Sequence, residues 1–383
     1  MSSGQKQALL LAKKKLIMDM VGKHSSPFFI FDKKQLSLSF NQFADAFADI
    51  LPKENIFYAI KSNSYLPLVQ EVVKLGGSLD VSSSGELTMA LQCGAKKILF
   101  SGPGKTLSDL NLAISNREKV IINIDSFNEL AKLGELTNKN KTAVEAGVRI
   151  FIKEVHGKWS KFGIDLTDLK KFFQVAQKYR YLDLCGIQCH MSWNKNSQPY
   201  KKAIKIISVY LKENFTEKAL AKFKFIDFGG GFLPDNDKGC QLEDYSSGIK
   251  IAIQKNLTPI LKSVEYFTEP GRIINYAAMH FLFTIVDVKN KGLAIADAGT
   301  NAFGVDTGGF EYFPLINLTN PSSKEIPFEI HGSLCTPYDI WGQSCYASKI
   351  KEGDIILAPS QGAYTLSLAQ NFIRPIPPVY ELS

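Results

Sequence analysis

A lysine at the end of an apolar segment is the first residue in this sequence whose type and position could support covalent chemistry. Lys61 closes the run FYAI (57–60) and is followed at once by the turn-forming residues SNS (62–64). The run has the composition of a buried strand. A lysine amine can form an imine with an aldehyde, although most strand-end lysines only extend their ammonium group into water. Lys61 is therefore a candidate nucleophile only if other reactive groups converge on it.

Other chemically useful residues also follow apolar runs. Carboxylates and an imidazole can hold protons, arginines can bind anions, and consecutive glycines let backbone N–H groups approach a phosphate closely. Each is a weak signal alone, since glycines also form tight turns and a single histidine often only packs. In chain order these residues are Asp80, Arg149, His190, Gly229, Gly230, Gly231, Glu269 and Arg272.

The spacing of the apolar runs predicts what brings these residues together. Eight short β-rich runs alternate with amphipathic helical stretches between residues 56 and 269, which favours a (β/α)8 TIM barrel over a doubly wound open sheet. Active sites of such barrels lie at the C-terminal ends of the strands, so we expect these residues on one rim. The runs are IFYAI (56–60), SLDV (78–81), KILF (97–100), VIIN (120–123), EAGVRI (145–150), CGIQC (185–189), KFIDF (224–228) and EYFTE (265–269).

The remainder of the chain predicts a second domain. Residues 273–383 change to short β-rich segments such as HFLFTIVDV and GLAIADAG, separated by Gly, Pro and Asn turns. This pattern predicts an antiparallel β-barrel or sandwich, and the strand PFFIFD (27–32), which lies outside the count of eight, is expected to complete it. The predicted domains are a barrel over 33–272 and a β domain over 273–383 together with 1–32.

Composition narrows the classes of function. No apolar run reaches the ~18 residues that a membrane span needs. The N-terminal segment places its apolar patch before its lysines, the reverse of a secretory signal, so we expect an amphipathic helix there and a cytoplasmic protein. The formal net charge of +8 comes from 45 basic and 37 acidic residues scattered along the chain. This charge favours an anionic substrate or cofactor over nucleic acid.

The six cysteines predict neither disulfides nor a metal site. They show no paired CxxC spacing, which argues against a disulfide framework or zinc. Cys185, Cys189 and His190 are close in sequence, but a strand through CGIQCH places the two thiols on one face and the imidazole on the other. We therefore expect ordinary buried thiols.

Lys61, the glycine turn and Arg272 together suggest pyridoxal 5'-phosphate as a cofactor. The glycines and the arginine would bind its phosphate, and the lysine amine would bond to its aldehyde. Glu269 would then face the pyridine nitrogen and keep it protonated, and His190 could stack on the ring. The glycine turn is not GxGxxG, so a dinucleotide is poorly supported.

Eight motifs in order make the sequence resemble a known family. They are FYAIKSN, GGSLDVSSSGEL, VRI followed by KFGI, IDFGGGF, EPGR, DAGTNAF, CTPYD and GAYT. Together they resemble the landmarks of the fold-type III pyridoxal-phosphate decarboxylases of ornithine, diaminopimelate and arginine, distant relatives of alanine racemase. The resemblance covers roughly residues 27–375 and implies decarboxylation at Cα of an L-amino acid. An amino-acid racemase and a non-catalytic decarboxylase homologue are the rival interpretations.

The resemblance also implies roles for individual residues. Lys61 is similar to the lysine that bonds to the cofactor, His190 to the residue stacked on its ring, and Glu269 to the partner of its pyridine nitrogen. Cys335 is similar to the cysteine that returns a proton to Cα, which this family supplies from the second subunit of a head-to-tail homodimer. Asp297 matches a position near the distal end of the substrate. The implied phosphate ligands are Gly229, Gly230, Gly231, Arg272 and Tyr364, and the supporting residues are Asp80, Glu86 and Arg149.

The stretch HMSWNKNS after the sixth run departs from the family. The family usually has a small apolar residue and then Gly-Ser after the histidine, and that serine assists the phosphate. Here Ser192 and Trp193 stand at the last two positions. The phosphate hydroxyl is therefore either lost or displaced to Ser192, and Trp193 is expected to reshape the substrate entrance.

A second departure bears on the substrate. In the resembled enzymes that act on free diamino acids, the cysteine is followed by an acidic residue (CD or CE), whereas this chain has Cys335-Thr336. A hydroxyl cannot balance the charge of a desolvated ammonium as a carboxylate can. This favours an N-acylated diamino acid, such as citryl-ornithine or citryl-diaminopropionate in siderophore biosynthesis. The alternative is that Asp297 or Asp339 reads the distal amine of free ornithine, lysine or diaminopimelate, as in a polyamine pathway.

Overall fold

Two units of the chain can be described separately. The computed structural model describes residues 12–157, 161–234, 241–289, 293–302 and 315–382. One unit, here called the barrel unit, comprises Phe40–Lys61 and Val69–Ile273. The other, the β unit, comprises Met1–Ser39, Ser62–Leu68 and Ile274–Ser383.

The secondary structure of the described residues alternates strands and helices up to residue 275 and consists mainly of strands beyond it. The strands are β1 Phe28–Phe31, β2 Phe57–Ala59, β3 Ser78–Val81, β4 Ile98–Phe100, β5 Val120–Ile124, β6 Val144–Phe151, β7 Ile164–Asp165, β8 Leu182–Gln188, β9 Phe225–Asp227, β10 Glu265–Phe267, β11 Met279–Lys289, β12 Leu293–Ala296, β13 Leu315–Asn317, β14 Pro321–His331, β15 Ile340–Ala347, β16 Ile355–Ala358 and β17 Val379–Glu381. The helices are α1 Lys14–Val21, α2 Lys33–Phe47, α3 Leu66–Lys74, α4 Ser84–Gln92, α5 Leu107–Ser115, α6 Phe127–Asn140, α7 Lys153–His156, α8 Leu169–Ala176, α9 Gln198–Asn214, α10 Glu217–Leu220, α11 Leu242–Ala252 and α12 Arg272–Asn275.

The barrel unit is built on a parallel sheet that closes on itself. Its strands pair in the order β2-β3-β4-β5-β6-β8-β9-β10, with β7 added at β6. A parallel bridge between Ile56 and Thr268 closes the ring, and the Phe57 N–H donates to the Thr268 carbonyl at 2.8 Å. Each of the eight predicted runs overlaps one strand of this ring. The predicted TIM barrel is therefore confirmed.

Helix α9 shows why the segments between the strands are helical. Its buried residues Ala203, Ile204, Ile207 and Leu211 recur at intervals of one, three and four positions, which places them on one face. A proline lies in its first turn, where the missing N–H removes no helical hydrogen bond. Strand β8, in contrast, is buried at six of its seven positions, as expected for a parallel strand covered on both faces.

Aromatic rings fill the interior of the barrel unit. Phe57, Phe225 and Phe267 form a buried cluster with Leu99 and Cys185, and the rings of Phe225 and Phe267 stack with centroids 4.9 Å apart. A Cβ at position 186 would lie 2.1 Å from the Phe225 ring, so only glycine fits in β8 opposite it. Burial raises the pKa of the Cys185 thiol to about 12, which makes it an inert packing residue at neutral pH.

The β unit is a mixed sheet. Its strands pair in the order β12-β14-β15-β13-β16-β11-β1-β17, and β11 pairs with β12 as well. Because β11 contacts both β12 and β16, six strands form a closed ring. The antiparallel pairings predominate, and the parallel pairings are β1 with β17, β12 with β14, and β13 with β15. The predicted β-barrel is confirmed, with this admixture of parallel strands.

The N-terminal segment contributes to the core of the β unit. Residues 1–11 lie outside the described residues, and the expected amphipathic helix is described as α1. Its Ile17 and Met20 are buried against Phe28 and Ile30 of β1 and Leu282 of β11. In the described part of the chain, no helix combines the length and apolar character required to cross a bilayer.

Buried His280 of the β unit predicts a specific pH dependence of stability. It lies in β11 and accepts a hydrogen bond at Nδ1 from the Ser360 N–H at 3.1 Å. Burial lowers its pKa from 6.5 to about 4, against the opposing effect of the Asp32 charge. Between these values the unfolded chain binds a proton that the folded chain does not. The free energy of unfolding therefore falls as the pH is lowered through this window, by roughly 3 kcal/mol in total.

Urea unfolding of the wild type and of His280→Asn measures this effect. Asparagine keeps an acceptor near the position of Nδ1 but does not titrate, so we expect its free energy of unfolding to decline less between about pH 7 and about pH 4.5. An equal decline in the two proteins would contradict the role assigned to His280.

Candidate active site

Lys61 and Asp80 form the first contact of the site. Lys61 follows β2 in a short turn, Ile60–Ser62, and Asp80 lies in β3 directly opposite Ala59. The Lys61 Nζ is 2.5 Å from the Asp80 Oδ2, with the aspartate side chain fully buried and the lysine side chain 34% exposed. The parallel register of two neighbouring strands thus brings the predicted nucleophile to a buried carboxylate.

The environment of Asp80 raises the pKa of its carboxyl group. Burial and the Glu269 charge raise its pKa to about 7, while Lys61 opposes the shift. Its second oxygen, Oδ1, is buried without a hydrogen-bond partner. Glu86 stands nearby in sequence at the start of α4, where its Oε2 accepts from the Ser82 N–H at 2.6 Å, and burial raises its pKa. Glu86 therefore holds the loop after β3, while Asp80 faces the lysine.

Glu269 follows β10 and is held by three side chains. Its Oε1 accepts from Gln188 Nε2 at 3.0 Å and from the Ser101 hydroxyl at 3.3 Å. Its Oε2 is 2.9 Å from His190 Nδ1. Burial raises the pKa of Glu269, but the hydrogen bond from His190 and the charge of Lys61 outweigh burial and hold the pKa below its ordinary value. Glu269 is therefore an ionised carboxylate inside the barrel.

His190 follows β8, beside Glu269. Burial lowers its pKa, against the opposing influence of Glu269, so the ring is neutral at pH 7 and Nδ1–H donates to the ionised carboxylate. The Gly230 nitrogen lies 3.1 Å from the same Nδ1. His156 of α7 contacts the His190 carbonyl through Nε2 at 2.9 Å. Glu269 thus orients the imidazole ring, and His156 holds the His190 backbone.

The glycine turn 229–231 packs closely against two other segments of the site. Gly229 and Gly231 adopt φ of +66° and +89°, which other residues rarely do. A Cβ at Gly230 would lie 2.3 Å from the Glu269 carbonyl oxygen, and one at Gly229 would lie 2.6 Å from the His190 Cα. The Gly229 N–H donates to Asp227 Oδ1 at 2.8 Å. These glycines therefore allow a backbone approach that no side chain would permit.

Four polar residues inside the barrel were not anticipated from the sequence. Asn123 Nδ2 donates a hydrogen bond to the Ser101 hydroxyl at 3.1 Å. Burial together with the Glu269 charge raises the pKa of Asp227 well above its usual range. Each is a polar residue in or directly after an apolar strand, which is the signal that could have revealed it. They are Ser101, Asn123, Gln188 and Asp227.

Two arginines of the barrel unit stack on aromatic rings. The guanidinium of Arg149, in β6, lies 4.2 Å from the ring centroid of Phe162, and that of Arg272 lies 4.5 Å from the ring centroid of Trp193. Ser192 is exposed in the loop between His190 and Trp193. The structure places Arg149 near the C-terminal end of β6, and Ser192, Trp193 and Arg272 in the segments that follow β8 and β10, on the predicted rim.

The remaining predicted residues lie in the β unit. Tyr364 adopts φ of +59°, and its N–H donates to the Ser62 carbonyl at 2.7 Å. Asp297 accepts hydrogen bonds from the Ser26 hydroxyl and the Thr284 N–H. Burial raises the pKa of Asp297.

The loop that carries Cys335 is organised by Asp339. The buried Asp339 carboxylate accepts from the Thr300 N–H at 2.6 Å and the Leu334 N–H at 2.8 Å. Cys335 itself is exposed, and Thr336 is half-buried. Asp339, which the sequence analysis considered as a reader of a distal amine, is thus committed to backbone groups of its own unit.

Comparison with known proteins identifies the family. Residues 35–276 match the family model described as pyridoxal-dependent decarboxylase, pyridoxal binding domain. The chain belongs to the pyridoxal-dependent decarboxylases. Diaminopimelate decarboxylase of Aquifex aeolicus is 27% identical over 94% of this chain and 87% of its own length, and that of Campylobacter jejuni is 27% identical over 91% and 88%.

Solved structures share the fold of this decarboxylase. Diaminopimelate decarboxylase from Helicobacter pylori, complexed with L-lysine, superposes with a TM-score of 0.84 at 24% identity and covers 96% of this chain and 94% of its own. Arginine decarboxylase of Paramecium bursaria Chlorella virus gives a TM-score of 0.83 at 22% identity, over 96% and 100% of the two chains.

The residues of the barrel fit the cofactor of the family, pyridoxal phosphate. An amine, a glycine turn and an ionised carboxylate are present, and the buried Asp80 Oδ1, Asn123 Oδ1 and Gln188 Oε1 have no hydrogen-bond partner in the described structure. In the described ranges no group of three or more His, Cys, Asp or Glu residues is arranged to hold a metal. Bound pyridoxal phosphate supplies the electron sink that allows an amino acid to lose its carboxyl group. The protein is therefore an amino-acid decarboxylase, a carboxy-lyase.

Proposed function

We propose that the enzyme removes the α-carboxyl group of an L-amino acid at the rim of the barrel unit, with Lys61 as the residue that bonds to the cofactor. The contact between Lys61 and buried Asp80 at 2.5 Å carries this proposal. Asp80 accepts a hydrogen bond from the lysine amine and orients it, and burial raises the pKa of this carboxyl.

The other residues of the site bind and orient. Glu269 would face the pyridine nitrogen of the bound cofactor and keep it protonated, and His190, held by Glu269, would stack on the ring. Arg149 supports the site from β6. The phosphate ligands in this proposal are Ser192, Gly229, Gly230, Gly231, Arg272 and Tyr364.

Three residues of the β unit favour a substrate without a free distal amine. Thr336 takes the place of an acidic residue, and Asp297 and Asp339 already accept hydrogen bonds from their own unit. A hydroxyl cannot balance a desolvated ammonium. We therefore propose an N-acylated diamino acid as the substrate, such as citryl-ornithine or citryl-diaminopropionate, and a role in siderophore biosynthesis.

Free diamino acids are the second candidate class of substrate. The similarity to known proteins supports this alternative, because the two diaminopimelate decarboxylases align over more than nine tenths of this chain. Under this alternative the substrate is diaminopimelate, lysine or ornithine, the last as a source of polyamines.

A matched substrate panel separates the two classes. Carbon dioxide release is measured from ornithine and citryl-ornithine, from diaminopropionate and its citryl derivative, and from lysine and diaminopimelate. We expect a higher kcat/KM for the citryl member of each pair. A higher value for the free amine in each pair would overturn the N-acyl proposal and leave decarboxylation intact.

Thr336→Asp tests the same point within the protein. The new carboxylate would pair with a distal ammonium, so we expect kcat/KM for free ornithine to rise about tenfold relative to that for citryl-ornithine. Thr336→Asn, of the same size but uncharged, is the matched control and should shift this ratio little. A ratio unchanged by the aspartate would contradict the role of Thr336.

We also propose that two chains form a homodimer with shared active sites. Cys335 is the residue that returns the proton to Cα, and it acts in the site of the partner chain. Its exposure supports this, because a thiol must be accessible to reach another subunit. In this proposal the barrel over 33–272 and the β domain over 273–383 with 1–32 are the functional domains of a cytoplasmic enzyme.

A further inference from the structure

Trp193 lies on the rim of the barrel, and the proposed function assigns it no role. It stands where the resembled family has a serine, its side chain is 52% exposed, and its backbone has φ of +56°. A bulky residue in the left-handed region is an outlier, and such a conformation persists only where the surroundings impose it. An exposed tryptophan held in this way calls for a specific contact.

The flanking residues of Trp193 are attached to the glycine turn. Before it, Met191 is so close that a Cβ at Gly231 would lie 2.2 Å from the Met191 carbonyl oxygen. After it, the Asn194 N–H donates to the Gly231 carbonyl at 3.0 Å, and the Tyr245 hydroxyl donates to the Asn194 carbonyl. The backbone of Trp193 is therefore held from both sides.

The side chain of Trp193 contacts Arg272. The guanidinium carbon lies 4.5 Å from the centroid of the tryptophan ring, which is a cation–π geometry. Arg272 is itself close in sequence to Glu269, whose N–H donates to the Gly229 carbonyl at 2.8 Å. The indole, the arginine and the glycine turn are thus parts of one connected arrangement within the barrel unit.

We infer that Trp193, which stands at the position of the serine in the resembled family, is a positioning residue that holds the Arg272 guanidinium at the phosphate site. The inference rests on the proposed function, in which Arg272 binds the phosphate of the cofactor. Contact with a rigid ring favours one rotamer of the half-buried Arg272 and so reduces the entropy lost when the anion binds.

Titration of the full-length enzyme, stripped of cofactor, tests this inference without measuring turnover. Pyridoxal 5'-phosphate and pyridoxal, which lacks the phosphate, are the two probes. We expect Trp193→Ala to raise the Kd of pyridoxal phosphate about 3- to 10-fold and to leave that of pyridoxal unchanged. Trp193→Phe keeps an aromatic face and should have a smaller effect.

A double variant isolates the coupling between the two residues. In an Arg272→Ala background the further change Trp193→Ala should have no effect on the Kd of pyridoxal phosphate, because its partner is already absent. Lys171→Ala is the matched control, since Lys171 makes a similar contact with the Phe127 ring at 5.6 Å, and it should bind both probes as the wild type does. Unchanged pyridoxal binding in each variant also shows that the site is folded.

The outcomes separate a failure of this inference from a failure of the proposed function on which it rests. If Arg272→Ala weakens binding of pyridoxal phosphate but Trp193→Ala does not, or if Trp193→Ala weakens both probes equally, the inference is wrong and the proposed function stands. If Arg272→Ala leaves the Kd of pyridoxal phosphate unchanged, the phosphate role of Arg272 fails and the inference fails with it.

Discussion

We expect the Lys61→Ala variant to lose at least about three orders of magnitude in kcat. Lys61 is the amine that contacts buried Asp80, and alanine supplies neither the covalent attachment nor the positive charge. Carbon dioxide release measures the activity, and the visible absorption of the lysine-bound cofactor measures the attachment. Lys171→Ala removes a lysine of the barrel unit that lies outside the site and is the control. Retention of both signals in Lys61→Ala would contradict the assignment.

The Lys61→Ala variant also tests the proposal that each active site is shared between two chains. Cys335→Ala alone should slow protonation at Cα but leave cofactor binding largely intact. When Lys61→Ala and Cys335→Ala chains are dissociated, mixed in equal amounts and reassociated, half of the dimers combine one chain of each kind. In a head-to-tail dimer one of their two sites has both residues, so we expect about a quarter of the wild-type activity to return. No recovery in mixtures shown to exchange subunits would contradict a site that is completed by Cys335 of the partner subunit.

Glu269→Gln is expected to lower kcat by about 100-fold or more. Glutamine has the same size and can still accept from Gln188 or Ser101, but it lacks the charge that keeps a pyridine nitrogen protonated. Since the wild-type pKa is held below its ordinary value, Glu269 should add no acid limb to the kcat profile above about pH 4.5. The measurement is kcat against pH for both proteins.

The control for Glu269→Gln is Gln188→Glu, which places a second carboxylate at the same contact. The two buried carboxylates would repel one another, so this variant should raise the pKa of Glu269 and create an acid limb that the wild type lacks. A Glu269→Gln enzyme with wild-type kcat would show that charge at this position does not assist catalysis.

Local patterns in the sequence were sufficient for the barrel. Runs such as SLDV and KFIDF are apolar, short and evenly spaced, and each became a strand because a parallel strand buried on both faces requires such residues. The polar residue at the end of each run, such as Lys61 or His190, was predicted on one rim because all strands of a barrel point the same way.

The strands of the β unit were harder to predict from the sequence. Strands β15 and β17 were not predicted, because segments such as IWGQSCYA mix polar, apolar and glycine residues without a clear alternation. Strand β14 carries Pro321 and Pro327, which usually argue against a strand. It pairs with β15, the next strand in sequence, in an antiparallel register that is interrupted by irregularities, and such an interrupted pairing does not produce a regular alternation of polar and apolar residues.

The sequence by itself determined the candidate nucleophile, the barrel and the family, because residue type at the end of an apolar run is a local property. Only the tertiary structure determined the pKa shifts of the acidic residues and the buried polar residues that contact them. Asp80 and Glu269 are both acidic in the sequence, yet burial raises the pKa of one while His190 and Lys61 lower that of the other. Such differences depend on distances of a few ångströms between residues from different strands, and these distances exist only in the folded chain.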